Sequence, residues 1–504
     1  MASRISVYSL VSKKMNGAQK TLLGGLVLIF ESLGRKLVGV ISTLILARVL
    51  VPEDFGLVAI CTLTMGFIQI FVQVGTEEYL LSAKELDNDT INTSWTINFI
   101  LKTAVVIILI LSSGLIADYF EDARVTTVLI AYALSLFVCC FYNPGLILFR
   151  REHKYVPIAK LTIASKIIAV TTAVSIALIY ESYWALVIGQ ITNDIMRTIG
   201  GYLLHSYRPK FCLKNAKQQW QFSGWLIPQS ILGYGRTQLD TFLVSSTFGA
   251  NVLGSYHVMK YLAFIPCSEI LLPATQPLLV ELSKLKDNKN EFTLQYNVTA
   301  LVTFSMAFFI SCFMFIEQHL VVSILLGANW IQYAQLIGYF ALLIPAYAMF
   351  HHARRAQLVF AQTRSIFIYE IFSFGIMYSI LLFVGLADLN KFTYLRVLLE
   401  NFFSLILLFY VTYKFISPSN TIKLVLLSVP ILLASITAMT VSKLISFAIP
   451  ILLLVFVKGA AYLASFVLII LLCYALLFNR FKEWQYIYGL TSKAAKKLTK
   501  SYAK

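Results

Sequence analysis

Acidic residues, paired cysteines and catalytic signatures are scarce in this chain of 504 residues. Only 13% of its residues are charged, about half the share of a soluble domain. Too little polar surface exists to coat a soluble core, so a soluble globular protein is excluded. Seven cysteines, at 61, 139, 140, 212, 267, 312 and 473, form no C-x-x-C pair. They indicate neither a disulfide framework nor a zinc site and read as small apolar core residues. No G-x-x-x-x-G-K-[ST] loop is present, so the chain carries no ATPase of its own. H-E-x-x-H and G-x-S-x-G are also missing, and the histidines are isolated except for His351 and His352 at a helix end. Short alternating apolar segments, the mark of a membrane β-barrel, do not occur. The basic start "MASRISVYSLVSKKMNGAQK" leads into no short apolar core with a small-residue cleavage site. It reads as a cytoplasmic lead-in rather than a signal peptide.

What is present is oil. The chain is 59% hydrophobic with a mean hydropathy of +0.78, and apolar runs long enough to cross a bilayer recur along it. The expected fold is an all-α polytopic membrane protein of about fourteen helices: 21–46, 54–80, 95–117, 125–148, 156–179, 183–204, 222–246, 253–280, 293–316, 332–351, 365–386, 392–412, 424–443 and 450–479. With both termini cytoplasmic, the inner segments carry 27 Lys and Arg. The opposite side holds only Arg48, Arg124, Lys391 and Lys443. That asymmetry follows the positive-inside rule and accounts for most of the net charge of +17. Nucleic-acid binding is therefore not expected. "RREHKY" (150–155), "YRPKFCLKNAK" (207–217) and the terminal "SKAAKKLTK" read as solvated, lipid-facing cytoplasmic loops and tail. The sequons at Asn88, Asn92 and Asn297 fall on the wrong side or within a helix and read as chance.

An internal repeat is visible. "VLVPEDFGLVAI" (49–60) and "TFGANVLGSYHV" (247–258) each join two helices, and Gly56 matches Gly254 at an offset of 198. The offset spans an even number of helices, so the two halves share one orientation. The organisation that follows is a lead at 1–20, an N-lobe at 21–204, a cytoplasmic linker at 205–221 and a C-lobe at 222–412. Two further helices at 413–479 lie outside the repeat, and a basic cytoplasmic tail fills 480–504. The two parallel-related six-helix lobes would surround a central cavity.

Charge within a span costs on the order of 2.5–3.5 kcal/mol, so it needs a polar setting. In "LIFESLGRKLVGV" (28–40), Glu31, Arg35, Gly39 and Ser42 share one helical face, with Lys36 beside them. Gln229, Gly233, Arg236 and Asp240 do the same in the seventh helix, and the offset maps Glu31 onto Gln229 and Ser42 onto Asp240. The second helix adds Gln69, Gln73 and Glu77, and the eighth adds Lys260 and Glu269. Two readings stand: helices lining a shared water-filled cavity, or intrahelical pairs Glu31–Arg35 and Arg236–Asp240 that plug a protein core. Lys102, Lys160, Lys166, Asp194, Arg197, Glu370, Arg396, Glu400 and Lys458 also lie in spans, and several sit near helix ends where they would snorkel.

"LARVLVPEDFGLVAI", "FSGWLIPQSILGYGRTQLDTFLVSSTFGANVLGSYHV", "LLPATQPLLVELSKLKDN" and "LLGANW" resemble the polysaccharide-transporter branch of the multidrug/oligosaccharidyl-lipid/polysaccharide (MOP) superfamily. The likeness covers roughly residues 20–420 and is strongest to the exopolysaccharide (colanic-acid-like) flippases. The order and spacing of the motifs carry it. It implies two lobes with a V-shaped cavity and alternating access. It also implies transfer of undecaprenyl-diphosphate-linked oligosaccharide units to the outer leaflet of a bacterial inner (plasma) membrane, for exopolysaccharide, capsule or O-antigen. Arg35, Arg236, Lys260 and Lys36 are the cations available to hold the substrate. Glu31, Asp240, Gln73 and Glu77 are the polar positions available to orient them or bind a coupling cation, H+ or Na+. No metal or other cofactor is implied. Partners would be the lipid-linked oligosaccharide, membrane lipids, a polysaccharide polymerase and a chain-length regulator. The alternatives are a cation-coupled small-molecule exporter of the same superfamily or a membrane polysaccharide polymerase. The latter commonly has a large outer loop, whereas the longest here is 317–331.

Overall fold

The structure, a computed structural model, describes residues 17–70, 76, 79–80, 86–152, 154–223, 226–271, 282, 285–360, 362–384, 388–446, 450–477, 480–487 and 489. Its regular structure among these is all helix, with no strand. A helix satisfies its own backbone groups, which lipid cannot do. The chain divides into two compact units, Met1–His257 and Val258–Lys504.

The first unit contains α1 (Gly17–Val49), α2 (Pro52–Gln69), α3 (Asn88–Tyr119), α4 (Arg124–Cys140), α5 (Gly145–Arg151), α6 (Tyr155–Tyr180), α7 (Trp184–Leu204) and α8 (Ala216–Ser223), and most of α9 (Leu226–Pro266). The second contains α10 (Lys289–Ile316), α11 (Gln318–Leu325), α12 (Ala334–Ala341), α13 (Leu343–Val359), α14 (Thr363–Val384), α15 (Leu389–Val411), α16 (Pro418–Leu444) and α17 (Ile451–Leu477). A helix lies over each of the fourteen expected segments. By length and composition, 8 helices among the described residues can cross a membrane, or 9 if α4 and α5 form one span. The helices α1, α2, α7 and α9 are not among them. These are helices in which polar side chains dilute the oil.

Two expected boundaries differ. The span expected at 125–148 bends by 63° between α4 and α5. Pro144 has no N–H to continue the ladder and disfavours helical backbone at the residue before it. Asn143, fully buried, repairs the break: its side-chain oxygen accepts from Gly145 N at 2.8 Å, and its amide donates to the carbonyls of Gly201, His205 and Tyr207. The seventh and eighth expected helices run together in α9, interrupted by non-helical backbone at Gly249, where φ is 81°. Only glycine takes that conformation without strain.

Gly56 and Gly254, paired by the repeat, meet one another. A Cβ on Gly56 would lie 1.6 Å from the carbonyl oxygen of Ala250, and one on Gly254 would lie 1.8 Å from that of Pro52. The offset that carries Gly56 onto Gly254 also carries Pro52 onto Ala250. The contact is therefore reciprocal, the pattern of a two-fold-related pair.

The stretch 207–217 keeps its arginine and lysines exposed, as expected of a solvated loop, but its backbone is docked. It lies along the polar first turns of α3. Tyr207 Oη and Lys210 N both donate to Asn92 Oδ1 at 2.9 Å, and Cys212 N donates to Thr96 Oγ1 at 3.0 Å. Asn215 Nδ2 donates to Thr90 Oγ1 at 2.8 Å, and Lys214 pairs with Asp89 at 2.7 Å. That pairing holds the Lys214 ammonium above its ordinary pKa, through a hydrogen bond reinforced by charge. Burial holds His205 below its ordinary value, consistent with an Nδ1 that accepts from Tyr207 N at 3.0 Å. Composition reported the charges of this strap but not the row of hydroxyls and amides waiting for it on α3. The Asn92 sequon is one of them.

In the second unit α10 packs on α13 and α16, and α16 packs on α17. Polar clasps join them at both ends. At one end Glu317, 5% exposed, accepts from Lys458 Nζ at 2.9 and 2.8 Å and from Ser442 Oγ at 2.6 Å. At the other end the Asn297 amide donates to Asn420 Oδ1 at 2.8 Å and to Glu483 Oε1 at 2.9 Å. Lys423 reaches the same Glu483 oxygen at 2.6 Å. Lys458, one of the charges within spans, is thus a partly buried ion-pair partner of Glu317.

Candidate functional site

Within the first unit, α2, α3, α4 and α7 enclose a cavity of about 800 Å³. α4 packs on α2, α3 and α7. Each helix turns polar residues into the space between them. Thr62, Gly66 and Gln69 line it from α2, and Ser94, Asn98 and Lys102 from α3. α7 contributes Gln190, Asp194, Arg197 and Thr198. Spacings of three and four residues put each set on one helical face. Apolar residues on the other faces hold the helices in place: Leu57, Ile60, Val125, Val128 and Leu129 are fully or almost fully buried.

The carboxylate of the cavity is served by its own wall. Asp194 Oδ2 accepts from Ser135 Oγ at 2.9 Å, and the Gln190 amide donates to both carboxylate oxygens at 3.2 and 3.3 Å. The cations are differently placed. Lys102 Nζ donates to the Cys139 carbonyl at 3.2 Å, and the Arg197 guanidinium stands 5.9 Å from the centroid of the Tyr142 ring. Among the described residues, no carboxylate lies within ion-pair distance of either. Asn98 donates to Thr76. Trp95, also in the wall, packs tilted against Phe99 and against Phe211 of the strap at 5.4 and 5.1 Å between centroids. Ser94 donates to Gln219 at 2.9 Å. The strap thus packs behind the wall through Phe211 without lining the cavity itself.

Of the residues singled out from the sequence, Gln69 lines this cavity, and the others whose side chains are described lie elsewhere. Arg35 is half-exposed and pairs with Glu31 at 3.3 Å along α1. Glu31 and Lys160 face a second, mostly apolar groove of about 590 Å³ between α1 and α6. Lys36, one residue on, is partly buried. Asp240 is fully buried and accepts from Tyr256 Oη at 2.8 Å, across the Gly249 break in α9. Arg236 occupies α9 one turn before it, and its side chain lies outside the described residues, as do Gln73 and Glu77. Lys260 is partly buried in the second unit.

Lys102, Asp194 and Arg197 stand among the nine further span charges that the sequence leaves without a role. The structure instead brings them around one cavity. Their signal was in the sequence: 94, 98 and 102, and 190, 194 and 198, are polar stripes of the kind that drew attention to Glu31 and Arg35.

Comparison with known proteins agrees with this architecture. Residues 45–335 match the model of a family described as "Polysaccharide biosynthesis protein". The chain is 22% identical over 292 residues to the lipopolysaccharide biosynthesis protein WzxC of Escherichia coli K12, covering 57% of this chain and 58% of that one. It is 24% identical over 321 residues to a putative O-antigen transporter of Shigella flexneri, covering 58% and 74% respectively. The chain thus spans less than two thirds of the length of WzxC. A solved structure, the lipid II flippase MurJ in an inward closed conformation, superposes with a TM-score of 0.71 at 13% identity, over 91% of this chain and 100% of that one. The likeness to MurJ shows that the fold is shared. Matched by that model over more than half its length, this multi-pass membrane chain belongs to the polysaccharide biosynthesis protein family, in the polysaccharide-transporter branch that its motifs resemble.

Proposed function

We propose that this chain is a flippase. It moves undecaprenyl-diphosphate-linked oligosaccharide units from the inner to the outer leaflet of a bacterial plasma membrane, by alternating access, for surface polysaccharide synthesis. One observation carries the reading: a large cavity lined by Lys102, Arg197, Asp194 and uncharged polar side chains, set among helices that are otherwise oil. Polar groups there are costly unless a polar cargo uses them. A sugar diphosphate is such a cargo, while its polyprenyl tail stays in lipid. The names of the relatives, a lipopolysaccharide biosynthesis protein, an O-antigen transporter and a lipid II flippase, support the same class. Arg35, Lys36, Arg236 and Lys260 are the further cations offered to the diphosphate along the route. Glu31 and Asp240 are the carboxylates offered to a coupling cation, H+ or Na+. The chain does no bond-making chemistry and works beside a polymerase and a chain-length regulator.

Deleting the gene should abolish surface polysaccharide while lipid-linked units accumulate on the inner leaflet, read by extraction and mass spectrometry of the lipid-linked pool. Single unpolymerised units on the outer surface would instead make the chain a polymerase. Undiminished surface polysaccharide would leave the small-molecule exporter.

Orientation is tested separately. The termini are proposed to be cytoplasmic, so a single cysteine at Asn329 should react with an impermeant maleimide in intact cells, and one at Lys289 should not. Both positions are exposed. Labelling at Lys289 alone would invert the topology.

A further inference from the structure

The groove between α1 and α6 is apolar except for Glu31 and Lys160. α6 is long and apolar enough to cross a membrane, and most of it is not buried inside the protein. The groove follows α6 from Val156, in its first turn, to Ile167. That stretch of helix rises about 16 Å, close to the roughly 15 Å depth of hydrocarbon in one leaflet. The two helices approach at Gly34, where a Cβ would stand 3.6 Å from Ile163 Cδ1. The small side chains of Ala159 and Ala164 leave room beside that contact. Phe30 and Ile167 line the groove yet stand 71% and 48% exposed. Exposed apolar side chains grouped in this way mark a surface that lipid covers. Charge is confined to one end. Glu31 is held by Arg35 at 3.3 Å. Lys160, exposed and one turn beyond Val156, has no hydrogen-bond or ion-pair partner among the described residues. One carboxylate and two cations leave a single positive charge there, and Arg150 and Arg151 stand just before α6 at the same end.

We propose that the α1–α6 groove is a docking site for one anionic glycerophospholipid, taken from the leaflet beside Arg150 and Arg151. An acyl chain lies along Val156, Ile163 and Ile167, and the phosphodiester meets the Lys160 ammonium. The lysine stem can rest on hydrocarbon while its charge reaches head-group level. A phosphodiester carries one negative charge, which matches the one positive charge left over. A zwitterionic lipid brings its own cation and gains less. The length of the groove fits an acyl chain, whereas an undecaprenyl chain is far longer than one leaflet is deep. The site lies apart from the polar cavity of α2, α3, α4 and α7. It rests on the membrane setting of the chain and not on the flippase reading.

The test is native mass spectrometry of the full chain, released from maltoside micelles that hold equal amounts of phosphatidylglycerol and phosphatidylcholine with the same acyl chains. Retention of phosphatidylglycerol in preference to phosphatidylcholine is expected. Lys160→Gln should cut that preference about fivefold, the effect of one lysine near anionic lipid, and Lys160→Arg should keep it. Ala164→Leu fills the groove without touching the charge and should lower phosphatidylglycerol retention by a similar factor. Lys160 and Ala164 are both exposed, so these changes leave the packed interior alone. Equal retention of the two lipids by the parent chain, or an unchanged preference in Lys160→Gln, overturns the proposal. Displacement of the retained phosphatidylglycerol by a short-chain polyprenyl diphosphate would hand the groove to the cargo and overturn it as well. Loss of surface polysaccharide on deleting the gene bears on the flippase reading alone, so the two can fail separately.

Discussion

Gly56→Ala and Gly254→Ala should each leave little folded protein in the membrane. At both positions the added methyl would overlap a backbone carbonyl, at 1.6 and 1.8 Å. A side chain can rotate away from such a clash, but here the obstructing atoms belong to Pro52 and Ala250 in helical backbone. Relief requires α2 and the 250–254 turn of α9 to separate. Overpacking ordinarily costs 1–3 kcal/mol, and a clash against backbone belongs at or above the top of that range, roughly 3–5 kcal/mol. Gly114 is the control: nothing lies within 4 Å of its would-be Cβ in α3. Gly114→Ala should be neutral or slightly stabilising, since alanine is the better helix former. Fluorescent fusions resolved by size-exclusion chromatography would compare the three. Normal abundance and monodisperse elution of Gly56→Ala would show that the two segments do not approach as closely as described.

Lys458→Met should destabilise the second unit nearly as strongly. It would leave Glu317 buried at 5% exposure with Ser442 Oγ as its remaining hydrogen-bond partner. Breaking one side of a buried ion pair costs on the order of 3–5 kcal/mol, because the survivor keeps its charge without its solvent. Replacing both partners is a different matter: Glu317→Gln with Lys458→Met removes the buried charge altogether and should recover most of the loss. The measurement is thermal aggregation of the detergent-purified variants. A single variant as heat-resistant as the parent, or a double variant no better than the single, would mean that Lys458 does not hold α17 to α10 as described.

Both results turn on features that a linear reading reached only in part. The repeat singled out Gly56 and Gly254 as equivalent. It did not say that the equivalent residues touch, because reciprocity appears only when both stretches are placed in space. Lys458 and Glu317 are 141 positions apart. Nothing in the local pattern of either announces the other, so a lone lysine in an apolar span read as one that snorkels. Lys102, Asp194 and Arg197 show the same limit from another side. Each stripe is visible along its own helix, but which stripes share one space is set by the packing of helices far apart in the sequence.

The sequence by itself determined the solvent, the helical secondary structure and the family. These depend on quantities that accumulate along a chain: a run of apolar residues must be long enough to replace water with lipid, and a backbone in lipid must bond to itself. The proline at 144 and the glycine at 249 act on their immediate neighbours, but the bend and the break at them appear only in the structure. Only the tertiary structure decided which polar stripes share a space, which charges find partners, and that a basic linker is a docked strap. Those outcomes depend on distances between residues far apart in the chain. A hydroxyl row on α3 and a linker more than a hundred residues later have no pattern in common until the helices between them have packed.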